Sequence, residues 1–175
     1  MDQLISLEEN ISHQAPIAKA AGRLDEYLEN LLRSKYNVTK MIPVIQAMVS
    51  SKLLSVNQFP LAEKGYSRTI LYRGSCGFEI MIARWSKMAK TPIHGHPGFA
   101  LIYVIEGQFE EESYVKNSEE IVSAGHHQLS SGAFAFDGGV EGRFDNSIHQ
   151  ITAVTEGLSL HIYSDDALKG EIYSI

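Results

Sequence analysis

The sequence has few of the features that mark secreted, membrane-embedded or nucleic-acid-binding proteins. Its one cysteine, Cys76, cannot form an internal disulfide and suits a reducing compartment. The longest apolar run, residues 99–105, is far shorter than the roughly 20 residues that span a bilayer. No more than two Lys or Arg residues are adjacent, and the net charge is −6, which argues against nucleic acid or an anionic membrane as a partner. The acidic start, "MDQLISLEEN", lacks the basic and apolar parts of a signal peptide. We therefore expect a cytoplasmic protein.

Residues 1–58 are predicted to be helical. The stretch "SLEENIS" offers a capping box, because Glu9 follows Ser6 by three residues. Thr39 is expected to cap a third helix, with Pro43 in its first turn. Between them lies an apolar stripe at helical spacing, formed by Leu24, Tyr27, Leu28, Leu31 and Leu32. At 175 residues the chain is expected to form a single domain, in which these helices pack on the remainder.

Residues 59–175 change to short β-rich segments separated by glycine. Strands are expected at "RTILYR", "GFEIMIARW", "FALIYVI", "QFEEESYV", "EEIVSA", "GAFAF", "IHQITAV" and "LSLHIYS". Turns are expected at Gly74, Gly107, Gly125, Gly138–Gly139 and Gly157. Strands in this number, without helices between them, predict a closed barrel or a two-sheet jelly roll with the helices on its outside.

Two histidines in "PIHGHP" are candidate metal ligands. Residues i and i+2 of a strand point to the same side, so His94 and His96 can converge on one point inside a barrel. Imidazole is a good ligand for iron, copper, zinc or nickel. A third ligand would have to come from another strand. The alternative is that both histidines are ordinary surface or core residues.

Three blocks of the sequence resemble the cysteine dioxygenase family, which consists of thiol dioxygenases of the cupin superfamily. "PIHGHP", followed by Gly107, is similar to the first cupin metal motif, and "SIHQITAVTEGLSLHIYS" is similar to the second. "YSRTILYRGSCGFEIMIARW" resembles the segment that precedes the first motif in that family. The blocks extend from about Tyr66 to Ser164 in the family's order. The resemblance implies a mainly β fold, a cupin (jelly-roll) barrel over residues 59–175 with an N-terminal helical segment.

The resemblance also implies that His94, His96 and His149 hold one Fe(II). Most cupins add a glutamate four or five residues after the second histidine, where this chain has Ala100 and Leu101. Glu106 lies in the turn before Gly107 and is not expected to reach inward. Three neutral imidazoles leave the charge of the ion uncompensated, which favours an anionic ligand such as a thiolate. They also leave three octahedral positions open.

A second set of residues is expected to serve the substrate. Ser159, His161 and Tyr163 alternate on one strand and therefore face the same way. In the family this series positions a tyrosine hydroxyl beside the substrate. Arg68 aligns with the arginine that pairs with the substrate carboxylate, and Tyr66 accompanies it; a guanidinium can offer a carboxylate two parallel hydrogen bonds. The alternative for Ser159, His161 and Tyr163 is that they form the solvent-facing side of an ordinary strand. The alternative for Arg68 is that it is an exposed arginine at a strand end.

The chain departs from the animal enzymes of this family at several positions. Ala100 stands near the place of a cysteine that cross-links to the active-site tyrosine, so no cross-link is expected here. Residues 164–168, "SDDAL", replace a proline-containing loop. The remaining histidines, His13, His126 and His127, are expected to be incidental, and Cys76 is expected to be structural or incidental.

Together these features predict an enzyme, a non-haem Fe(II) thiol dioxygenase that adds both atoms of O₂ to a small thiol. L-cysteine, giving cysteine sulfinic acid, is the expected substrate, and 3-mercaptopropionate or another small thiol is the alternative. A cupin that binds a metal or a small molecule without catalysis is the alternative from another class. The expected partners are the thiol and O₂, without nucleic acid or membrane, in a monomer or weak homo-oligomer.

Overall fold

The computed structural model describes residues 14–118 and 120–174, with side chains from residue 23 onward except at residue 119. The predicted capping box of Ser6 and Glu9, and His13, lie outside the described residues. In the described part of the chain, two α-helices precede the strands, α1 at Gln14–Arg33 and α2 at Val38–Ser50. Within the described residues, no helix is both long enough and apolar enough to cross a membrane.

Helix α2 begins two residues earlier than the sequence indicated. Asn37, not Thr39, is its N-cap: the Asn37 side-chain oxygen accepts a hydrogen bond from the Lys40 backbone N–H at 3.2 Å. Asparagine is among the strongest capping residues, whereas Thr39 lies inside the helix. Pro43 consequently lies in the second turn rather than the first.

Ten strands follow, and all eight predicted segments are among them. Their bounds are β1 Tyr66–Arg73, β2 Glu79–Trp85, β3 Ile93–His96, β4 Phe99–Glu106, β5 Gln108–Asn117, β6 Glu120–Ser130, β7 Phe134–Gly138, β8 Asn146–Ala153, β9 Gly157–Tyr163 and β10 Ile172–Tyr173. The short strands β3 and β10 were not among the predicted segments, and each has four residues or fewer.

One predicted turn is wrong. Gly125 lies within β6, which continues to Ser130. Gly125 pairs with Ser113 beside a register shift in β5, and a Cβ atom at Gly125 would approach the Ser113 Oγ to 3.0 Å. The glycine at this position therefore serves close approach of two strands rather than a change of chain direction.

The strands form two antiparallel five-stranded sheets. The first has the order β1-β2-β9-β4-β7, and the second has the order β10-β3-β8-β5-β6. Side chains of the two inner faces pack together, Ala83 and Val104 from the first sheet with Phe109 and Ile151 from the second. This is the jelly roll that the sequence predicted.

The two helices cover the outer face of the first sheet. Leu28, Leu31 and Met41 from the helices are fully buried in one cluster with strand residues such as Ile82 and Leu160. Strands β2, β9 and β4 are therefore covered on both faces. Their inner faces hold the polar residues described next.

Candidate metal centre

His94, His96 and His149 come together inside the barrel. His94 and His96 lie on β3, and His149 lies opposite His94 on the neighbouring strand β8. The register shifts between His94 and His96, yet one nitrogen atom of each of the three rings lies within 4.8 Å of the others. The sequence-predicted ligand set is thus assembled from two adjacent strands and can hold a metal ion.

Hydrogen bonds fix the orientation of two of the rings. His94 Nδ1 lies 3.0 Å from the Pro92 carbonyl oxygen, and His149 Nδ1 lies 2.6 Å from Glu111 Oε1. Because a carbonyl oxygen accepts and does not donate, His94 Nδ1 carries the proton, and the Glu111 carboxylate imposes the same tautomer on His149. The Nε2 atoms of both rings are then free to bind a metal ion.

The third ring, His96, is placed so that a cation could lie between its Nε2 atom and that of His149. His96 is 2% exposed, and its Nε2 lies 2.8 Å from His149 Nε2. Its Nδ1 is buried, and it has no hydrogen-bond partner among the residues that the structure describes. Two unprotonated Nε2 atoms at that distance repel each other unless a proton or a cation lies between them. The donor set therefore fits a metal ion.

The protonation state of the rings favours metal binding. Burial, and then the neighbouring His149, lower the pKa of His94 to about 4. The same two causes hold the pKa of His96 well below its usual value. Both imidazoles are neutral at pH 7, so their lone pairs are available to a metal.

Within the described ranges, no carboxylate joins this group of ligands. Glu106 ends β4 with an exposed side chain, as the sequence indicated. Ala100, at one of the places where most cupins have a glutamate, pairs directly with Tyr163 across β4 and β9. Since alanine has no sulfur, no thioether can form between these two positions.

Ser159, His161 and Tyr163 form a hydrogen-bonded chain along β9. The Trp85 indole N–H donates to Ser159 Oγ at 2.8 Å, Ser159 Oγ lies 2.8 Å from His161 Nε2, and His161 Nδ1 lies 2.9 Å from the Tyr163 hydroxyl. Ser159 is fully buried, so its own hydroxyl hydrogen needs an acceptor, which His161 Nε2 provides. His161 Nδ1–H then donates to Tyr163, and the Tyr163 O–H is free to donate into the cavity.

Tyr163 is buried, and it lies next to the histidine cluster as a protonated phenol. Burial, and then Arg68, lower the pKa of His161 to about 3, so the ring is neutral. Burial raises the pKa of Tyr163 above its usual value. The Tyr163 ring stacks on His96 with 5.3 Å between ring centroids and 10° between ring planes. The tyrosine can therefore act as a neutral hydrogen-bond donor beside a metal.

Arg68 also lies in this region, but it already has a partner. Arg68 Nη2 donates to Glu79 Oε1 at 3.0 Å, and Arg68 Nε lies 3.0 Å from Met81 Sδ. Glu79 is fully buried, and it also accepts from Arg73 Nε at 2.9 Å. Arg68 is therefore not an exposed arginine at a strand end. Two of its guanidinium nitrogens, Nε and Nη2, have partners. The third, Nη1, makes no hydrogen bond to any residue that the structure describes.

Two cavities meet at the histidine cluster. The narrow one has a volume of about 240 Å³ and is lined by His94, Tyr66 and Arg68, together with Ala167 and Leu168 of the segment after β9. The wide one has a volume of about 1050 Å³ and opens along β5 and β7. His96, His149, His161 and Tyr163 line both cavities.

Three residues of this site were missed by the sequence analysis: Glu79, Trp85 and Glu111. Glu79 and Trp85 share the inward alternation of β2 with Met81, and Glu111 follows the buried Phe109 by two residues on β5. That alternation was the available signal. The expectation for His126 and Cys76 stands as a prediction; both side chains are exposed, and His126 Nε2 lies 3.8 Å from Glu110 Oε2.

No protein-family model matches the chain, and no curated protein matches it. Among solved structures, the chain is similar to a cupin superfamily protein from Desulfitobacterium hafniense, with 12% identity and a TM-score of 0.49 over 63% of this chain and 87% of that chain. An RmlC-like cupin from Shewanella frigidimarina has 19% identity and a TM-score of 0.43 over 57% and 75% of the two chains. An RmlC-like cupin from Desulfovibrio desulfuricans has 19% identity and a TM-score of 0.44 over 61% and 90%.

Proposed function

We propose that this protein is a non-haem Fe(II) thiol dioxygenase that converts a small thiol and O₂ into the corresponding sulfinic acid. L-cysteine is the substrate that we propose first. The reaction is balanced as R–SH + O₂ → R–SO₂H, in which both oxygen atoms bond to sulfur. The observation that carries the proposal is the chain from Trp85 to Tyr163, because it directs a hydroxyl hydrogen into the cavity beside three metal-ligating imidazoles.

The metal site and the tyrosine serve different needs. His94, His96 and His149 would hold the iron, which would supply a redox centre for O₂ and a site for the substrate sulfur. Metal binding alone would need neither Tyr163 nor the buried Ser159 and His161. Burying three polar side chains is costly unless they are hydrogen-bonded, and these three are bonded in a directed series. That series supports catalysis over storage or sensing of a metal.

The narrow cavity supports a small substrate that carries an acidic group. Its volume of about 240 Å³ lies below the roughly 300–1,000 Å³ of pockets for drug-sized ligands. Arg68 Nη1 is available to one carboxylate oxygen, while Glu79 and Met81 keep the guanidinium in place. Tyr66 stacks on Trp85 with ring centroids 4.4 Å apart, which fixes a second cavity wall. Tyr163 can donate to an oxygen atom near the metal.

The proposal is tested by oxygen consumption of the iron-loaded protein with L-cysteine, 3-mercaptopropionate and cysteamine. We expect uptake of one O₂ per sulfinic acid formed, with mass spectrometry identifying the product. His149→Ala serves as the control without a complete ligand set. If the iron-loaded protein consumes no oxygen with any thiol, the protein is a metal-binding cupin without this activity, and the proposed function is wrong.

A further inference from the structure

Glu111 lies behind a ligand of the metal site. It belongs to β5, in register with Ile151 on β8 and two residues before Ser113, the partner of His149. Glu111 Oε1 lies 2.6 Å from His149 Nδ1, and the side chains of Glu111 and His149 are each 13% exposed. This contact is short and largely shielded from water, so its electrostatic strength is little weakened by solvent.

The neighbouring glutamates of the same strand have other surroundings. Glu112 Oε1 accepts a hydrogen bond from Ser123 Oγ at 3.1 Å in an exposed position. Glu110 lies near His126 in solvent, with 3.8 Å between Glu110 Oε2 and His126 Nε2. Of the three consecutive glutamates, the middle one therefore has its carboxylate at the histidine cluster. One residue of this acidic run, Glu111, therefore contacts a candidate metal ligand, while Glu110 and Glu112 have exposed surroundings.

The contact has two consequences for His149. A carboxylate accepts hydrogen bonds only, so His149 Nδ1 must donate, and in the neutral ring Nε2 then presents its lone pair towards His96 Nε2, 2.8 Å away, where a metal ion would bind. A negative charge on the far side of an imidazole also makes the ligating nitrogen more basic. Glu111 therefore places an anion one hydrogen bond away from a candidate metal ligand.

We propose that Glu111 is a positioning residue of the metal centre, which orients His149 and partly compensates the charge of the bound ion. The inference rests on the proposed metal centre but not on the identity of the thiol. It also changes the expectation from three neutral imidazoles alone, because the ion would have a counter-charge from the protein without a carboxylate in direct contact.

The test measures metal affinity, without catalysis. Co(II) is titrated into the metal-free full chain in competition with a chromophoric chelator, for wild type, Glu111→Gln, Glu111→Ala and His149→Ala. Glu112→Gln is the matched control, since it makes the same charge change on the same strand away from the cluster. Glutamine keeps an acceptor for His149 Nδ1–H and removes the charge, whereas alanine removes both.

We expect Glu111→Gln to raise the Co(II) dissociation constant tenfold to a hundredfold, and Glu111→Ala to raise it at least as much. Glu112→Gln should change the dissociation constant less than twofold. A second readout is the exchangeable, paramagnetically shifted His149 Nδ1–H resonance of the Co(II) protein. It should be retained in Glu111→Gln and exchange faster in Glu111→Ala. A Glu111→Gln affinity within twofold of wild type overturns the proposal.

Two further outcomes separate this inference from the proposed function. If wild type binds Co(II) no more tightly than His149→Ala, there is no metal centre, and both the inference and the proposed function fall. If Glu111→Gln does not fold, as judged by its thermal transition, Glu111→Asp decides instead. It keeps the charge but shortens the side chain, so an unchanged affinity together with an unchanged His149 resonance would defeat the proposal.

Discussion

Replacing Arg68 with alanine separates thiols that carry a carboxylate from those that do not. Arg68 reaches the narrow cavity with its side chain 22% exposed, and Glu79 and Met81 already occupy Nη2 and Nε. We therefore expect a substrate carboxylate to bind through Nη1. The expected magnitude is that of one charge-assisted hydrogen bond, in place of the bidentate contact that the sequence suggested.

One such bond contributes about 1.5–3 kcal/mol, and partial exposure places Arg68 at the lower end. A loss of about 1.5 kcal/mol corresponds to roughly tenfold in kcat/KM. Arg68→Ala should leave the fold intact, because Arg73 continues to hold the buried Glu79 carboxylate through its Nε at 2.9 Å. Glu79, which would keep Arg73 but lose one of its two cationic partners, would also repel an incoming carboxylate, and this acts in the same direction.

The assay compares kcat/KM for three thiols between wild type and Arg68→Ala. We expect wild type to prefer cysteine, then 3-mercaptopropionate, then cysteamine, which lacks the carboxylate. The variant should lose about tenfold or more on the first two and little on cysteamine. Arg33→Ala, on the exposed surface of α1, controls for loss of a positive charge. Equal losses on all three thiols, or a wild-type preference for cysteamine, would refute a role of Arg68 in reading the substrate.

Other predictions concern the metal, the tyrosine and pH. Alanine in place of His94, His96 or His149 should remove most bound iron and nearly all activity, measured by metal analysis and oxygen uptake; a carboxylate bound to the metal in a crystal structure would contradict this ligand set. Tyr163→Phe should keep iron but lose turnover or uncouple oxygen uptake from product, and wild type should run as a single band on denaturing gels; unchanged kinetics would remove Tyr163 from the mechanism. The folded-state pKa of His161, about 3, lies below the unfolded value of about 6.5, so its stabilisation is complete above pH 6.5 and is lost as pH falls towards 3. Unfolding of the metal-free protein should therefore cost roughly 2 kcal/mol less at pH 5 than at pH 7 from this group, and a His161→Gln variant with the same pH dependence would argue against it.

Most of the fold could be predicted from patterns within single segments of the sequence. Short β-rich segments between glycine turns located the eight longer strands, and the two-residue spacing of His94 and His96 placed both on one side of β3. Short elements were missed because they have too few residues for a pattern. Strand β10 has two residues, and it exists because Ile172 and Tyr173 pair with β3.

Contacts between segments could not be predicted in the same way. Glu111 was one of three similar glutamates, and only the register between β5 and β8 brings it to His149. Glu79 follows the same logic: its inward position on β2 could be inferred from alternation, but its pairing with Arg68 depends on the neighbouring strand. The side of a strand on which a residue lies can be predicted from the sequence of that strand. The residue that it contacts there depends on the register with neighbouring strands.

The placement of β9 and β3 in their sheets gives the two halves of the site different resistance to local opening. Strand β9 lies at the centre of its sheet, and all seven of its residues are buried. Its amide hydrogens can exchange only through openings close to global unfolding. Strand β3 has four residues and is covered at its outer edge by the two-residue β10. Local fraying of that edge would free His94 and His96 while Tyr163 stays in place. We therefore expect exchange of a bound metal with solvent to proceed through β3.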